Sequence, residues 1–273
     1  MKYNLAFKYR IYPNKEQELL INKTFGCVRF VYNTILYTAN KFYEETGKNK
    51  IITPASLKSE NQFLKEVDSL ALSNAQLNVK RSFTNFFQKR AKFPRFKSKK
   101  NNVKSYTTNC VNNSIRIEEN KYLVLPKLKR IKLKYHREIP KNYRIKSVTL
   151  TNSNGNYYVS VLTEFEKEIQ KIPSNDKVIG LDFSMSELFV SSENQRADYP
   201  RYFRMLEKKL KKLQKSLSRK VKFSKNWYKQ KAKISKLHEY IKNCRRDFLH
   251  KLSKKLSEEY NAVVVENLNM KGM

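Results

Sequence analysis

The sequence predicts a mixed α/β protein of more than one domain, in which a small β-barrel carries inserted helices and a second domain of strands and long helices follows. Three observations predict this fold. The chain opens with the two-residue period of a strand, continues with the period of helices, and then shows short β-like runs between residues 113 and 163. With 273 residues and 40% hydrophobic content, the chain can bury roughly two or three modest cores.

Hydrophobic period predicts the N-terminal elements. Polar and apolar residues alternate over residues 3–11 and Pro13 then begins a turn, which predicts one strand. Apolar residues recur at helical spacing over residues 15–45 with an interruption near Gly26, which predicts two helices. Further helices are predicted at residues 56–64 and 70–91.

A β-rich region follows these helices. Asn154-Gly155 predicts a hairpin turn, because this pair readily adopts the positive φ values of a tight turn. The region and the first strand together predict a small barrel. The predicted strands cover residues 114–117, 122–125, 131–135, 144–150 and 157–163.

A polar connection over residues 164–176, which contains Pro173, predicts the main domain boundary. The inserted position of the helices predicts that the barrel is assembled from two separate stretches of the chain. The predicted domains are the barrel at 1–14 and 105–170, the helical lobe at 15–104, and a C-terminal domain at 177–273.

The C-terminal domain contains two apolar strands that end in carboxylates, Asp182 and Glu266. Their ends could meet at one sheet edge and hold Mg²⁺, which prefers oxygen ligands, although many strands end in polar residues and the signal alone is weak. Two Mg²⁺ ions about 3.5–4 Å apart stabilise both the attacking and the leaving oxygens of a phosphodiester. The other predicted elements are a strand at 188–191 and helices at 200–219, 224–242 and onward to about residue 260.

The charge of the chain predicts a polyanionic partner. Lys and Arg number 58 against 24 Asp and Glu, so the formal charge is +34, which a polyanion would neutralise. The 12% aromatic content favours DNA or RNA, because bases stack on aromatic rings. A lysine-rich solvated surface, a ribosomal protein and a membrane-surface protein are the alternatives.

Two segments concentrate this charge. Residues 86–104 carry eight Lys or Arg, four Phe and no acid, and residues 201–256 carry 21 Lys or Arg against three acids. The alternatives are that the phenylalanines belong to a core and that the helical cations form a solvated face. The residues predicted to contact nucleic-acid backbone are Lys89, Arg90, Lys92, Arg95, Lys97, Lys99, Arg204, Lys208, Lys212, Arg245 and Arg246.

Other functional classes lack support. No apolar stretch of about 18 residues exists, and the N-terminus lacks the apolar block of a signal peptide, so we expect a cytoplasmic, nucleoid-associated protein without membrane contact. Cys27, Cys110 and Cys244 are widely separated, so no zinc ribbon and no tightly bound metal is expected.

Six segments, in order along the chain, resemble one family. They are Tyr-Arg-Ile-Tyr-Pro-Asn at 9–14, Arg-Phe-Val-Tyr-Asn at 29–33, Phe-Pro-Arg-Phe-Lys at 93–97, Ile-Gly-Leu-Asp at 179–182, Arg-Asp-Phe-Leu-His-Lys-Leu at 246–252, and Val-Glu-Asn-Leu-Asn-Met-Lys-Gly-Met at 265–273. The chain therefore resembles the TnpB-like (OrfB) family of transposon-encoded, RNA-guided DNA endonucleases, relatives of type V CRISPR effectors.

The resemblance implies a β-barrel wedge domain with an inserted helical recognition lobe, followed by an RNase H-like (RuvC) domain. It implies two partners, a guide RNA and a double-stranded DNA target beside a short adjacent motif. Asp182 matches the first catalytic carboxylate of the family and Glu266 the second. The residues at the position that touches the target-adjacent motif are Ser69, Ser73, Asn74 and Asn78, whose small polar side chains suit base edges.

Family nucleases continue past Lys-Gly-Met through a zinc ribbon to a third catalytic Asp, whereas this sequence stops at Met273. We therefore expect an incomplete RuvC-like domain and RNA-guided DNA binding without effective nuclease activity, as in a transcriptional repressor. Asp182 and Glu266 would be vestigial, able to retain residual Mg²⁺, and binding would require no cofactor. Two alternatives stay open: a truncated copy of an active nuclease, and a guide-independent nucleic-acid-binding protein. The sequence specifies neither the guide, the regulated gene nor an oligomeric state.

Overall fold

The computed structural model describes residues 1–100, 103–168, 177–184, 186–197 and 199–268. The chain divides into two compact units, Met1–Glu168 and Ile169–Met273, which we call the first and second units. Both contain helices and a sheet, so the mixed α/β class is confirmed. No helix in the described ranges combines the length and apolar character needed to cross a membrane.

The first unit is built on a seven-stranded antiparallel sheet with the strand order β2-β6-β7-β1-β5-β4-β3. Phe7, Tyr9 and Ile11 alternate inward along β1 and are almost fully buried. The sheet is curled, and its closure into a barrel stays a prediction. The strands are β1 (Lys2–Tyr12), β2 (Val103–Asn109), β3 (Arg116–Glu118), β4 (Tyr122–Leu125), β5 (Lys129–Lys134), β6 (Arg144–Ser153) and β7 (Asn156–Glu166).

Three helices connect β1 to β2: α1 (Lys15–Thr46), α2 (Pro54–Leu57) and α3 (Ser69–Phe87), with a 3-10 turn at Gln62–Lys65. They share one apolar core with the sheet. The Phe25 ring of α1, for example, meets the Tyr106 ring of β2 edge-on at 5.7 Å between ring centroids.

The prediction of two helices between residues 15 and 45 was wrong. Asn14 caps a single helix through a reciprocal capping box with Gln17, and Gly47 ends it with a φ of 66°. A glycine inside a helix costs about 1 kcal/mol relative to Ala, which is small beside the burial of neighbours such as Phe25 and Val28. Because its apolar face is buried on both sides of Gly26, α1 continues through this residue.

The predicted helices at 56–64 and 70–91 were too long. Residues 56–64 form part of α2 and the start of the 3-10 turn, and α3 ends at Phe87. Strand β2 was missed altogether, since its sequence Val-Lys-Ser-Tyr-Thr-Thr-Asn has little apolar alternation. Pairing with β6, from Val103↔Ser153 to Asn109↔Ser147, makes it a strand.

The second unit contains a three-stranded sheet with the order β10-β8-β9, made of β8 (Val178–Phe183), β9 (Phe189–Ser191) and β10 (Ala262–Val265). Two consecutive helices, α4 (Tyr202–Ser218) and α5 (Lys225–Glu259), pack against each other through a small core around Leu210, Leu237 and Ile241. The predicted break near residue 242 was wrong, because α5 continues through weak helix formers such as Asn243 without interruption.

Candidate carboxylate pair and nucleic-acid interface

Asp182, in β8, and Glu266, directly after β10, follow the same register pair of two parallel strands. The register pairs Val264 with Gly180 and Val265 with Leu181, so the next position along each chain is a carboxylate. Neighbouring strands lie about 4.8 Å apart, and in-register residues point to the same face of a sheet. Both acids are exposed. The expectation that the two strand ends lie side by side therefore agrees with the register of the second unit.

A trio of hydrogen-bonded side chains connects Tyr260, just before β10, to the segment that follows β9. The Tyr260 hydroxyl, at the end of α5, donates to Glu193 Oε2 at 2.8 Å, and Gln195 Nε2 donates to the same Glu193 oxygen at 2.9 Å. The bond to Glu193 raises the pKa of Tyr260. Because Tyr260 lies just before β10, this trio helps to set where β10 begins.

The two carboxylates fit part of a Mg²⁺ coordination shell. They are hard oxygen donors, and Mg²⁺ commonly takes one or two protein carboxylates while keeping several waters. Within the described ranges, no group of three or more His, Cys, Asp or Glu converges on a point that could hold a metal.

The four residues assigned to the target-adjacent motif lie on two neighbouring stripes of α3. Ser69 and Ser73 are exposed, and Ser69 Oγ accepts a hydrogen bond from Lys58 Nζ at 2.8 Å. Asn74 and Asn78 are half-buried, and Asn74 Nδ2 donates to the Leu70 carbonyl at 2.9 Å. Their role in base reading stays a prediction, for which the serines offer the freer side chains.

The phenylalanines of the first basic segment divide between packing and exposure. The Phe93 ring meets Phe83 and Phe86 edge-on, with centroids 5.9 and 5.2 Å apart. Phe87 and Phe96 nevertheless remain 65% and 58% exposed. The segment is therefore attached to α3 through Phe93 and leaves other rings accessible to bases.

Asn33, which sequence reasoning did not single out, fastens the same segment to α1. The Lys97 backbone N–H donates to Asn33 Oδ1 at 2.8 Å, and Asn33 Nδ2 donates to the Lys97 carbonyl at 3.1 Å. The Lys97 ammonium lies 4.1 Å from the centre of the Tyr32 ring. The only signal in the sequence was that Tyr32, Asn33 and Lys97 belong to two of the six family-like segments.

The cations predicted on α4 form one exposed stripe. Arg204, Lys208 and Lys212 are four residues apart and exposed, and none of them forms an ion pair with a described residue. Glu207, between them, pairs instead with Lys211 at 2.8 Å. The α4 stripe therefore keeps its positive charge for an external anion.

On α5 the predicted arginines are exposed and hydrogen-bonded to polar neighbours. Arg245 Nε donates to the Tyr199 hydroxyl at 2.9 Å, and Arg246 Nε donates to His250 Nε2 at 3.2 Å. These bonds orient both guanidinium groups without neutralising them, so each retains its charge for a phosphate.

Two family models match this chain. The model described as "Probable transposase" matches residues 159–273, and the model described as "Helix-turn-helix domain" matches residues 1–48, which form β1 and α1 here.

Two curated proteins match almost the whole chain. The "Putative RNA-guided DNA endonuclease InsQ" of Escherichia coli (strain K12) is 35% identical over 100% of this chain and 68% of its own length. A "Putative RNA-guided DNA endonuclease" of Streptomyces pristinaespiralis is 33% identical over 98% of this chain and 68% of its own length.

A solved structure supports the fold. A chain in the cryo-EM structure of the Cas12f1-sgRNA-target DNA complex superposes with a TM-score of 0.55, covering 98% of this chain and 81% of that chain. At 12% identity this likeness concerns the fold alone.

Proposed function

We propose, from the premise that this chain belongs to the TnpB-like (OrfB) family, that it is an RNA-guided, sequence-specific DNA-binding protein. The observation that carries the proposal is the 35% identity to a relative named as an RNA-guided DNA endonuclease, along 100% of this chain. Its partners would be a guide RNA and a double-stranded DNA target.

The charge distribution supports this function. In RNA-guided proteins, base pairing between guide and target reads the sequence, while the protein holds the hybrid through its backbone phosphates. The α4 stripe of Arg204, Lys208 and Lys212 is suited to that task, because it is exposed and lacks ion-pair partners among the described residues.

Recognition of a short motif beside the target would fall to α3. Ser69 and Ser73 present hydroxyl groups that can donate to or accept from base edges, and Asn74 and Asn78 lie on the adjoining stripe. Substituting Ser73 by Ala should weaken binding to targets that carry the motif and leave guide-RNA binding unchanged.

The output of binding would be occupancy of the DNA, as in a transcriptional repressor, with Asp182 and Glu266 as vestigial metal ligands. Asp182 and Glu266 are the two carboxylates that the register of β8 and β10 brings to neighbouring positions. When bound, Mg²⁺ would supply charge stabilisation for phosphodiester cleavage. Asp182 and Glu266 would contribute two oxygen donors to such an ion.

A TnpB-type endonuclease is the second candidate function. It is favoured by the in-register placement of Asp182 and Glu266 and by the names of the two relatives. The two candidates share guide loading and target binding and differ only in cleavage.

One experiment separates these functions. The protein is expressed together with the DNA that flanks its gene, the copurified RNA is sequenced, and matched and mismatched duplexes are offered in Mg²⁺. The repressor predicts a discrete RNA and selective binding of an uncut matched duplex, unchanged in D182N. Guide-directed breaks that disappear in D182N would establish the endonuclease instead. Binding without copurified RNA and without selectivity would contradict both candidates and leave guide-independent binding.

A further inference from the structure

A cavity of about 230 Å³ in the first unit brings three cations together. Arg29 reaches it from α1, Lys97 from the basic segment and Lys104 from β2. Ser98 and Ser105 add two hydroxyl groups to its lining. We call these five residues the cationic pocket.

The cationic pocket contains positive charge without a counter-charge. Its lining includes no carboxylate, and none of its three cations forms an ion pair with a described residue. Three like charges around one small cavity repel each other, and an anion in the cavity would remove that cost. The arrangement therefore favours the binding of an anion.

Two of the three cations belong to a helix and a strand, and hydrogen bonds hold the backbone of the third. Tyr32 and Asn33 follow Arg29 by three and four residues and therefore lie near it on α1, and Asn33 binds both backbone groups of Lys97. Lys104 belongs to β2, where it pairs in register with Asn152 of β6. A pocket assembled in this way is organised before the ligand arrives, so little entropy is lost when it binds.

The environment of the Lys97 ammonium also favours an anion beside it. Although the residue as a whole is exposed, partial desolvation of its ammonium lowers its pKa. The Tyr32 ring, 4.1 Å from the ammonium, forms a cation–π contact with it and carries no formal charge. An anion beside Lys97 would offset the desolvation.

We propose that the cationic pocket binds a single backbone phosphate of a nucleic acid, held jointly by Arg29, Lys97 and Lys104. Arginine can bind phosphate oxygens with two parallel hydrogen bonds, and the two lysines add point charges. The serine hydroxyls can donate to the same oxygens. The inference rests on the proposed function only in that the phosphate belongs to RNA or DNA.

The dependence of affinity on salt counts phosphates and therefore tests this proposal. Each neutralised phosphate contributes about 0.9 to the slope of log affinity against log salt for duplex DNA and about 0.7 for single strands. The Gln triple variant of Arg29, Lys97 and Lys104 should lose one such increment. For DNA, the factor by which affinity falls between 50 and 200 mM salt should then be about 3.5-fold smaller in the variant than in the wild type. Three separate phosphate contacts would instead remove about 40-fold.

The measurement has two arms that identify the source of the phosphate. The first titrates the guide-like RNA with the free protein, and the second titrates duplex DNA with the RNA-loaded protein. One increment of slope should disappear in one arm. In that arm the slope losses of the three single variants should add up to more than the slope loss of the triple variant. An unchanged slope in both arms, or a loss of three increments, would overturn the proposal.

Two sets of variants control for charge and folding. A Gln triple variant of Lys48, Lys65 and Lys141, exposed lysines of the same unit outside the pocket, measures the effect of losing three charges without a shared ligand. R29K and K104R keep the pocket's charge and should keep the slope. If the pocket triple is unfolded by circular dichroism, K97Q, K104Q and their double variant give the same non-additivity test. A wild-type protein that does not select guide-matched DNA would contradict the proposed function, while the slopes would still decide the pocket.

Discussion

Replacing Asn33 with Ala should release the basic segment from α1. The side chain makes two hydrogen bonds to Lys97, at 2.8 Å to its N–H and 3.1 Å to its carbonyl. Each bond stabilises a protein by about 0.5–1.5 kcal/mol, so the pair contributes about 1–3 kcal/mol to the closed state of the segment. Since about 1.4 kcal/mol corresponds to a factor of ten, local opening should become roughly five- to a hundredfold more frequent.

Hydrogen exchange at the Lys97 amide measures this opening directly. The amide should exchange at least about fivefold faster in N33A, since its acceptor is gone. N33D keeps an acceptor oxygen and should retain most of the protection. The Gln17 amide, bonded to Asn14 Oδ1 at 2.8 Å, is a matched internal control and should be unaffected. If Lys97 exchanges at the same rate in N33A and wild type, Asn33 does not hold the segment and the rigidity argued for the cationic pocket is wrong.

Three further outcomes are expected. Ile35→Ala should lower the free energy of unfolding by about 2–5 kcal/mol because Ile35 is fully buried, whereas Leu19→Ala, at a residue 62% exposed, should change it by less than about 0.5 kcal/mol; chemical denaturation tests both. Asn14→Ala should cost about 1 kcal/mol through loss of the α1 cap, and Asn14→Ser should restore most of it in thermal melts, so equal melting of all three proteins would show that the cap is unimportant. Tyr260→Phe should lose the stabilisation that the hydrogen bond to Glu193 provides. Because the folded-state pKa of Tyr260 is raised, this stabilisation is present below the ordinary pKa of about 10 and is lost as pH rises through the folded value. The difference in unfolding free energy between the two proteins should therefore close at alkaline pH.

Local patterns in the sequence determined several elements of this protein. The alternation along β1 placed Phe7, Tyr9 and Ile11 on the buried face, because the side-chain period of a strand is two whatever the strand packs against. Short continuous apolar runs predicted the two strands that end in carboxylates, and Asp182 lies near the end of β8 while Glu266 directly follows β10. The +34 charge predicted a polyanionic partner without any knowledge of the fold, because charge is additive over the chain.

Local signals misled where packing overrode them. Gly26 suggested a break in α1, and a helix boundary was predicted near residue 242. Both helices continue, since the buried faces of α1 and α5 outweigh the small propensity cost of one residue. Strand β2 had too little apolar alternation to be recognised from the sequence. Its pairing with β6 stabilises it as a strand.

Only the tertiary structure decided which distant residues meet. The parallel register that puts Glu266 beside Asp182, and the convergence of Arg29, Lys97 and Lys104 on one cavity, depend on contacts between segments far apart in the chain. A sequence pattern reports the face on which a side chain lies, because that is a property of the local backbone. The residues that this side chain contacts are decided by the packing of the whole unit, because strand register and the burial of apolar surface select a single arrangement.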